Sequence, residues 1–407
     1  MNPDRIDAVR SALAAEIDAM ADELVAFRRM LHRHPEPSWE EHRTTAAVMG
    51  RLATGGLDPR VADVGTGLIC DLGTGGPLVA LRGDIDALRL PDAKDVSYRS
   101  EVAGVCHACG HDVHATAVLG AGLALARALE ATGTEGRVRL LFQPAEETIP
   151  SGAAALVDEG VMDGVDAIFA LHCDPNVEVG MLGLSVGPIT SASDLVEIRL
   201  KGPGGHTARP HRTADLVNIL ARVAVDLPSG LARLSDSRDS VNLTFGHIEA
   251  GEAANVIPTE ARLRGSLRVG GRASWEQAGP KMQRLLAAIV EPFGATWELD
   301  HLVGAPPILN DPWSVGIMTE AGTNVVGRGA VVPTEQSGGG EDFSWYLEEV
   351  PGAFCRLGVR QPGAPVIDIH TSTFDVDERA VVLGARVLAA TAATALGALP
   401  TRSPVDL

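Results

Sequence analysis

The 407 residues carry 45% hydrophobic and 21% charged side chains, a globular balance that excludes disordered, collagen-like and small disulfide-scaffold chains and gives room for two or three domains. Fifty-three acidic against 34 basic residues leave a formal charge of -19, which repels phosphate backbones and anionic membranes. With aromatic residues at 4% there is also little to stack on bases, so no nucleic-acid partner is expected. The odd set of five cysteines and the absence of a leader pattern point to a reducing, cytoplasmic setting.

The first 33 residues read as one helix, with Ile17, Met20, Leu24, Phe27 and Leu31 recurring every three or four positions, stopped at His34-Pro-Glu-Pro. Short apolar runs at Leu68–Leu72, Leu78–Leu81, Val138–Phe142 and Ala167–Leu171 alternate with helices predicted over Ala115–Ala131 and Ala153–Glu159, the pattern of an α/β layer with buried parallel or mixed strands. After about Gly187 the strands alternate polar and apolar positions (Val196–Leu200, Val241–Ile248, Ala261–Val269) between helices at Thr213–Leu227 and Ser274–Val290. This predicts an α+β unit over 188–303 inserted into an α/β domain formed by 1–187 and 304–407, which ends with the strand Phe354–Leu357 and an Ala-rich helix. That segment, Ala380–Leu399, has the length of a bilayer span, but its Ala, Thr and Gly content and Arg386 favour a core-docking helix, so no membrane partner is expected.

Potential metal ligands cluster at the ends of the apolar strands, where open α/β sheets place their ligands. Asp84 and Asp86 follow one strand, and Cys106-His-Ala-Cys109-Gly-His111-Asp-Val-His114 precedes a helix. Glu146 and Glu147 follow another strand, and His172 closes the next. Thiolate, imidazole and carboxylate together suit zinc and neighbouring divalent metals. The Glu146–Glu147 pair suggests that one carboxylate holds a metal while the other takes a proton from activated water. Cys106-x-x-Cys109 also has the spacing of a redox pair, although the surrounding acids and histidines favour a ligand role for Cys109.

These residues resemble the M20 metallopeptidases, specifically the amidohydrolase branch of auxin-conjugate hydrolases, hippurate hydrolases and N-acyl-amino-acid deacylases. The resemblance runs through Leu31-His-Arg-His-Pro-Glu, Glu41 to Thr44, Gly83-Asp-Ile-Asp-Ala-Leu, His107-Ala-Cys-Gly-His-Asp-Val-His and Phe142-Gln-Pro-Ala-Glu-Glu. It continues through Gly204-Gly-His-Thr-Ala-Arg-Pro-His, Asn255-Val-Ile-Pro, Gly340-Glu-Asp-Phe-Ser and Ile369-His370. It implies a zinc-peptidase-like catalytic domain with a mixed central sheet and an inserted lid through which the chain forms a homodimer. The five implied ligands of a dinuclear centre are Cys109, His111, Glu147, His172 and His370, with Cys109 bridging. Glu146 matches the general base, Asp86 the acid that orients a ligand imidazole, His206 the residue that stabilises the oxyanion, and Asn255 and Arg268 lid positions near the substrate.

The implied cofactors are two divalent ions per subunit, Mn2+ or Zn2+, with Co2+ or Ni2+ also admissible. The implied activity is hydrolysis of the amide bond in a small N-acyl or aryl-acyl amino acid. A dipeptidase or aminoacylase, or a binding protein on the same fold, are the competing readings. Two departures stand out: Cys106 where relatives usually have Met, and the glycine-rich run Ser337–Gly340, which suggests a flexible loop near the pocket.

Overall fold

In the computed structural model, residues 3–399 are described and divide into two compact units. The second unit comprises Pro188–Ile308 and Gln336–Ser344, and the first comprises the remainder.

The first unit is built on an eight-stranded mixed sheet, in the order Arg60–Val61, Leu68–Thr74, Gly136–Gln143, Leu78–Asp84, Ala167–Glu178, Gly352–Arg360, Leu182–Gly183, Val331–Val332. Its four longest neighbours from Gly136–Gln143 to Gly352–Arg360 run parallel. Every residue of Leu78–Asp84 is buried, which is why that strand reads as an uninterrupted apolar run rather than an alternating one. From it the chain moves first to the Gly136–Gln143 side and then to the Ala167–Glu178 side, so the C-terminal ends flank a topological switch point.

The helices His111–Thr132 and Arg379–Ala398 are long and apolar enough to cross a membrane, yet both are mostly buried within the unit, with 72% and 78% of their most apolar stretches covered. Their hydrophobicity is that of core helices. The sheet core includes Phe142, Phe169 and Phe354, all fully enclosed. Phe169→Ala is expected to cost about 3–5 kcal/mol by leaving a cavity, read as a lower urea midpoint for unfolding of this unit.

Several elements depart from the expected boundaries. The N-terminal helix is two, Pro3–Ala19 and Ala21–Arg33, interrupted at Met20, although Ile17, Met20 and Leu24 are all buried and keep the apolar stripe continuous. The helix expected from Ala115 starts at His111, so the polar residues His111, Asp112 and His114 lie in its first turn and are buried. They are tolerated there because each has a partner. Arg28 Nε lies 2.7 Å from Asp112 Oδ2, which also meets His32 Nδ1 at 2.7 Å. The strand expected to end at Leu171–His172 runs on to Glu178. Helices His42–Thr54 and Pro312–Val326 lie where the sequence pattern predicts no element.

The second unit is a four-stranded antiparallel sheet in the order Asn242–Ala250, Glu260–Val269, Ala192–Lys201, Thr296–Ala305. Helices Leu216–Arg233 and Ala278–Val290 contribute Leu220, Leu227 and Leu286 to a core shared with Leu200 and Leu263. The single helix expected over Ser274–Val290 is preceded by a separate turn of helix, Arg272–Glu276. Gly340 of the glycine-rich run is packed, since a Cβ there would strike Ser193 and come within 3.0 Å of Arg268 Nη1.

Candidate metal centre

Seven of the residues singled out from the sequence come together in the first unit. Cys109 and His111 precede and open the His111–Thr132 helix. Between them Gly110 adopts φ 95°, and a Cβ there would come within 2.7 Å of Cys173 Sγ, so only glycine allows both the turn and the close approach to the neighbouring strand. Cys109 Sγ lies 3.4 Å from His172 Nε2, and His370 Nε2 lies 3.0 Å from Glu147 Oε1. His111 Nε2 is 3.9 Å from both Glu146 Oε2 and Glu147 Oε1.

The donor atoms form overlapping triplets whose members lie within 4.8 Å of one another: Cys109–His111–His172, Cys109–Glu147–His370 and His111–Glu146–Glu147. The first two share only Cys109. His111 Nε2 is buried and has no hydrogen-bond partner among the described residues. An imidazole nitrogen left bare against a thiol and two carboxylates is costly by itself, and a cation removes that cost. The residues therefore fit a pair of divalent ions.

Hydrogen bonds around the cluster set the tautomers. His111 Nδ1 donates to Asp86 Oδ1 at 3.0 Å, leaving Nε2 toward the cluster. Asp86 Oδ2 accepts from Ser38 Oγ at 2.7 Å and from the Glu147 backbone N–H at 3.0 Å, so one carboxylate positions both a histidine and the turn carrying the glutamates. His172 Nδ1 faces the Cys173 carbonyl at 2.8 Å; a carbonyl can only accept, so Nδ1 carries the proton and Nε2, unprotonated, faces Cys109.

The Cys173 N–H is taken by His114 Nε2 at 2.8 Å, beyond the last residues that pair Ala167–Glu178 with Leu78–Asp84. His114 Nδ1 in turn meets Asp84 Oδ1 at 2.6 Å, and Asp84 Oδ2 accepts from Arg82 at 2.7 Å. Sequence spacing offered no signal for the part played by Ser38, whereas His114 stands in the candidate ligand cluster.

Electrostatics separate the two ligand imidazoles. Burial opposes charge on His111, but Asp84, Asp86 and Glu147 outweigh it and push its pKa up to about 10. Burial and the neighbouring His114 hold His172 well below the usual range. Both environments favour a cation, since a dication replaces the proton on His111 and His172 already offers a neutral nitrogen. Cys106 belongs to none of the ligand groups, and its buried thiol is pushed up to about 11; none of the five cysteines is in a disulfide.

The three remaining expected residues lie in the second unit. His206 and Asn255 are exposed neighbours on a short two-stranded ribbon, where His206 pairs with Val256 and the Asn255 carbonyl accepts from Thr207 N at 3.3 Å. Arg268 is half-buried in the strand Glu260–Val269, opposite Ser193 and Asn242.

Comparison with known proteins identifies the family. Residues 80–394 match the model of peptidase family M20/M25/M40. An N-acetyl-L-cysteine deacetylase of Bacillus subtilis is 34% identical over 90% of this chain and 86% of its own length. A Rhodococcus jostii protein carrying a provisional glutamate–cysteine ligase name is 45% identical over 90% of this chain, which spans only 46% of that relative. The crystal structure of a dinuclear metal-binding M20 peptidase of Bacillus subtilis superposes with a TM-score of 0.81 at 31% identity, covering 94% of this chain and 99% of that one. The chain belongs to peptidase family M20/M25/M40, as a hydrolase of that family's peptidase and amidohydrolase group.

Proposed function

We propose that the chain hydrolyses the amide bond of N-acyl or aryl-acyl amino acids, releasing the acid and the free amino acid. The observation that carries this reading is the pair of donor triplets sharing Cys109, with the Glu146 carboxylate alongside. The deacetylase relative, which is named for an N-acyl amino acid, supports the substrate class.

Cys109, His111 and His172 would hold one ion, and Cys109, Glu147 and His370 the other; thiolate, imidazole and carboxylate donors support zinc, manganese or cobalt. When bound, two such ions lower the pKa of water and polarise the amide carbonyl. Glu146 takes the proton of the attacking water and delivers it to the amine nitrogen as the C–N bond breaks. Asp86 keeps His111 in the tautomer that offers Nε2.

His206 Nδ1 accepts from Ala208 N–H at 3.1 Å, so its Nε2 carries the proton and can donate to a developing oxyanion. Asn255 and Arg268 take up the substrate's polar end. Exposed Leu195, Ile248, Leu302 and Val303 on the second unit support a homodimer through that unit. Five cysteines with no disulfide among them support a reducing, cytoplasmic compartment.

A panel of N-acetyl-amino acids, N-benzoyl-amino acids and dipeptides tests the substrate class. The expected result is a higher kcat/KM on the acylated amino acids. Preference for dipeptides would move the assignment to a dipeptidase, and full metal content with no turnover of any amide would leave a binding protein.

A further inference from the structure

Four non-glycine residues of the described chain adopt left-handed φ: Trp39 (68°), Ala145 (51°), Ser240 (47°) and His370 (60°). A side chain with a Cβ disfavours this region, and such residues persist only where their surroundings hold them. Two of the four are held by the same atom. Glu41 Oε1 accepts the Trp39 N–H at 3.0 Å and the Ala145 N–H at 2.8 Å. Glu41 is fully buried at the start of the helix His42–Thr54.

Ala145 is clamped on its other side as well, since its carbonyl accepts from the Gly152 N–H at 2.9 Å. Position 152 tolerates only glycine, because a Cβ there would overlap the Pro144 carbonyl oxygen. The loop leading to Glu41 also carries Ser38, which donates to Asp86. One buried carboxylate thus ties the 36–41 loop to the 144–147 turn, and both loops end on groups that touch the metal-ligand cluster.

The geometry of that turn is demanding. Glu146 and Glu147 lie in a run of bends, and both bring a carboxylate oxygen within 4.8 Å of His111. The left-handed residue immediately before them redirects the chain, and the Glu147 N–H is then fixed on Asp86.

We infer that Glu41 is a positioning residue: by accepting the Ala145 N–H it holds the Pro144–Glu147 turn in its left-handed form, so that Glu146 and Glu147 face the same cluster. The inference rests on the roles proposed above for those two glutamates. It goes beyond them by assigning a function to a buried carboxylate outside the donor triplets.

The test compares wild type, Glu41→Ala, Glu41→Gln and the double variant Glu41→Ala/Ala145→Gly, using Co2+ binding by chelator competition together with kcat and KM. Wild type is expected to take up two Co2+. Glu41→Ala lowers Co2+ affinity and kcat by about 10- to 100-fold, the usual range for partners that orient ligands, with KM within about threefold of wild type. Glycine enters the left-handed region without the penalty, so the double variant regains about 5- to 30-fold of the loss. Glu41→Gln keeps an acceptor oxygen and recovers at least about tenfold over Glu41→Ala.

A folded Glu41→Ala with full Co2+ affinity and kcat overturns the inference, as does a double variant no better than the single one. Should Glu41→Ala not fold, Glu41→Gln decides: retained Co2+ affinity supports the role, and a tenfold loss in the folded protein overturns it. A wild-type chain that binds no Co2+ overturns the metal centre itself and the positioning role with it, which distinguishes the two failures.

Discussion

In Glu146→Gln, kcat is expected to fall by about 10²- to 10⁴-fold, the range attributed to a positioned proton-transfer group, while two metal ions per chain are retained. The amide matches the carboxylate in size but cannot take the water's proton. Glu146 Oε2 lies 3.9 Å from His111 Nε2, beside the cluster, and Glu147 rather than Glu146 approaches His370. Metal content by elemental analysis and kcat on an N-acyl amino acid are the two measurements. Activity within tenfold of wild type would remove Glu146 from the role of base, and loss of metal would make it a ligand instead.

Replacing Cys109 by Ala should produce a different pattern, the loss of both ions together. Cys109 is the one residue common to the Cys109–His111–His172 and Cys109–Glu147–His370 triplets, whereas His172 and His370 each belong to one. Affinity for both ions is expected to drop by at least about 10²-fold, beyond what a residue that merely orients a ligand contributes. Turnover should fall in parallel. Sequential titration with Co2+ distinguishes the cases, since His172→Ala or His370→Ala should weaken one binding event and spare the other. If Cys109→Ala keeps one tight site, the thiolate is a terminal ligand and the shared-donor arrangement is wrong.

How far such a site can be read from sequence depends on where each residue finds its partner. The strand Leu78–Asp84 was legible because it is buried on both faces, and burial on both faces writes an unbroken apolar run into the chain. The start of the His111–Thr132 helix reads four residues late for the opposite reason. His111, Asp112 and His114 look like loop residues, and they are tolerable in a buried first turn only because Asp86, Arg28 and Asp84 arrive from elsewhere in the chain. The edge strand Thr296–Ala305, half of whose residues are exposed, was not read from the sequence. Two-residue strands such as Leu182–Gly183 carry no periodicity at all.

The chemistry on offer is legible along the chain: a set of thiol, imidazole and paired carboxylate donors spaced at the ends of apolar strands, on an α/β scaffold interrupted by a unit of different pattern. Donor type and local periodicity are properties of neighbouring residues, so they can be read along the chain. Tertiary structure decided how those donors are used. It set which nitrogen each imidazole presents through Asp86 and the Cys173 carbonyl. It also returned Gln336–Ser344 to the second unit and bent the chain at Ala145 under the hold of Glu41. Each of these outcomes is fixed by a contact between residues far apart in sequence, and local pattern carries no information about such contacts.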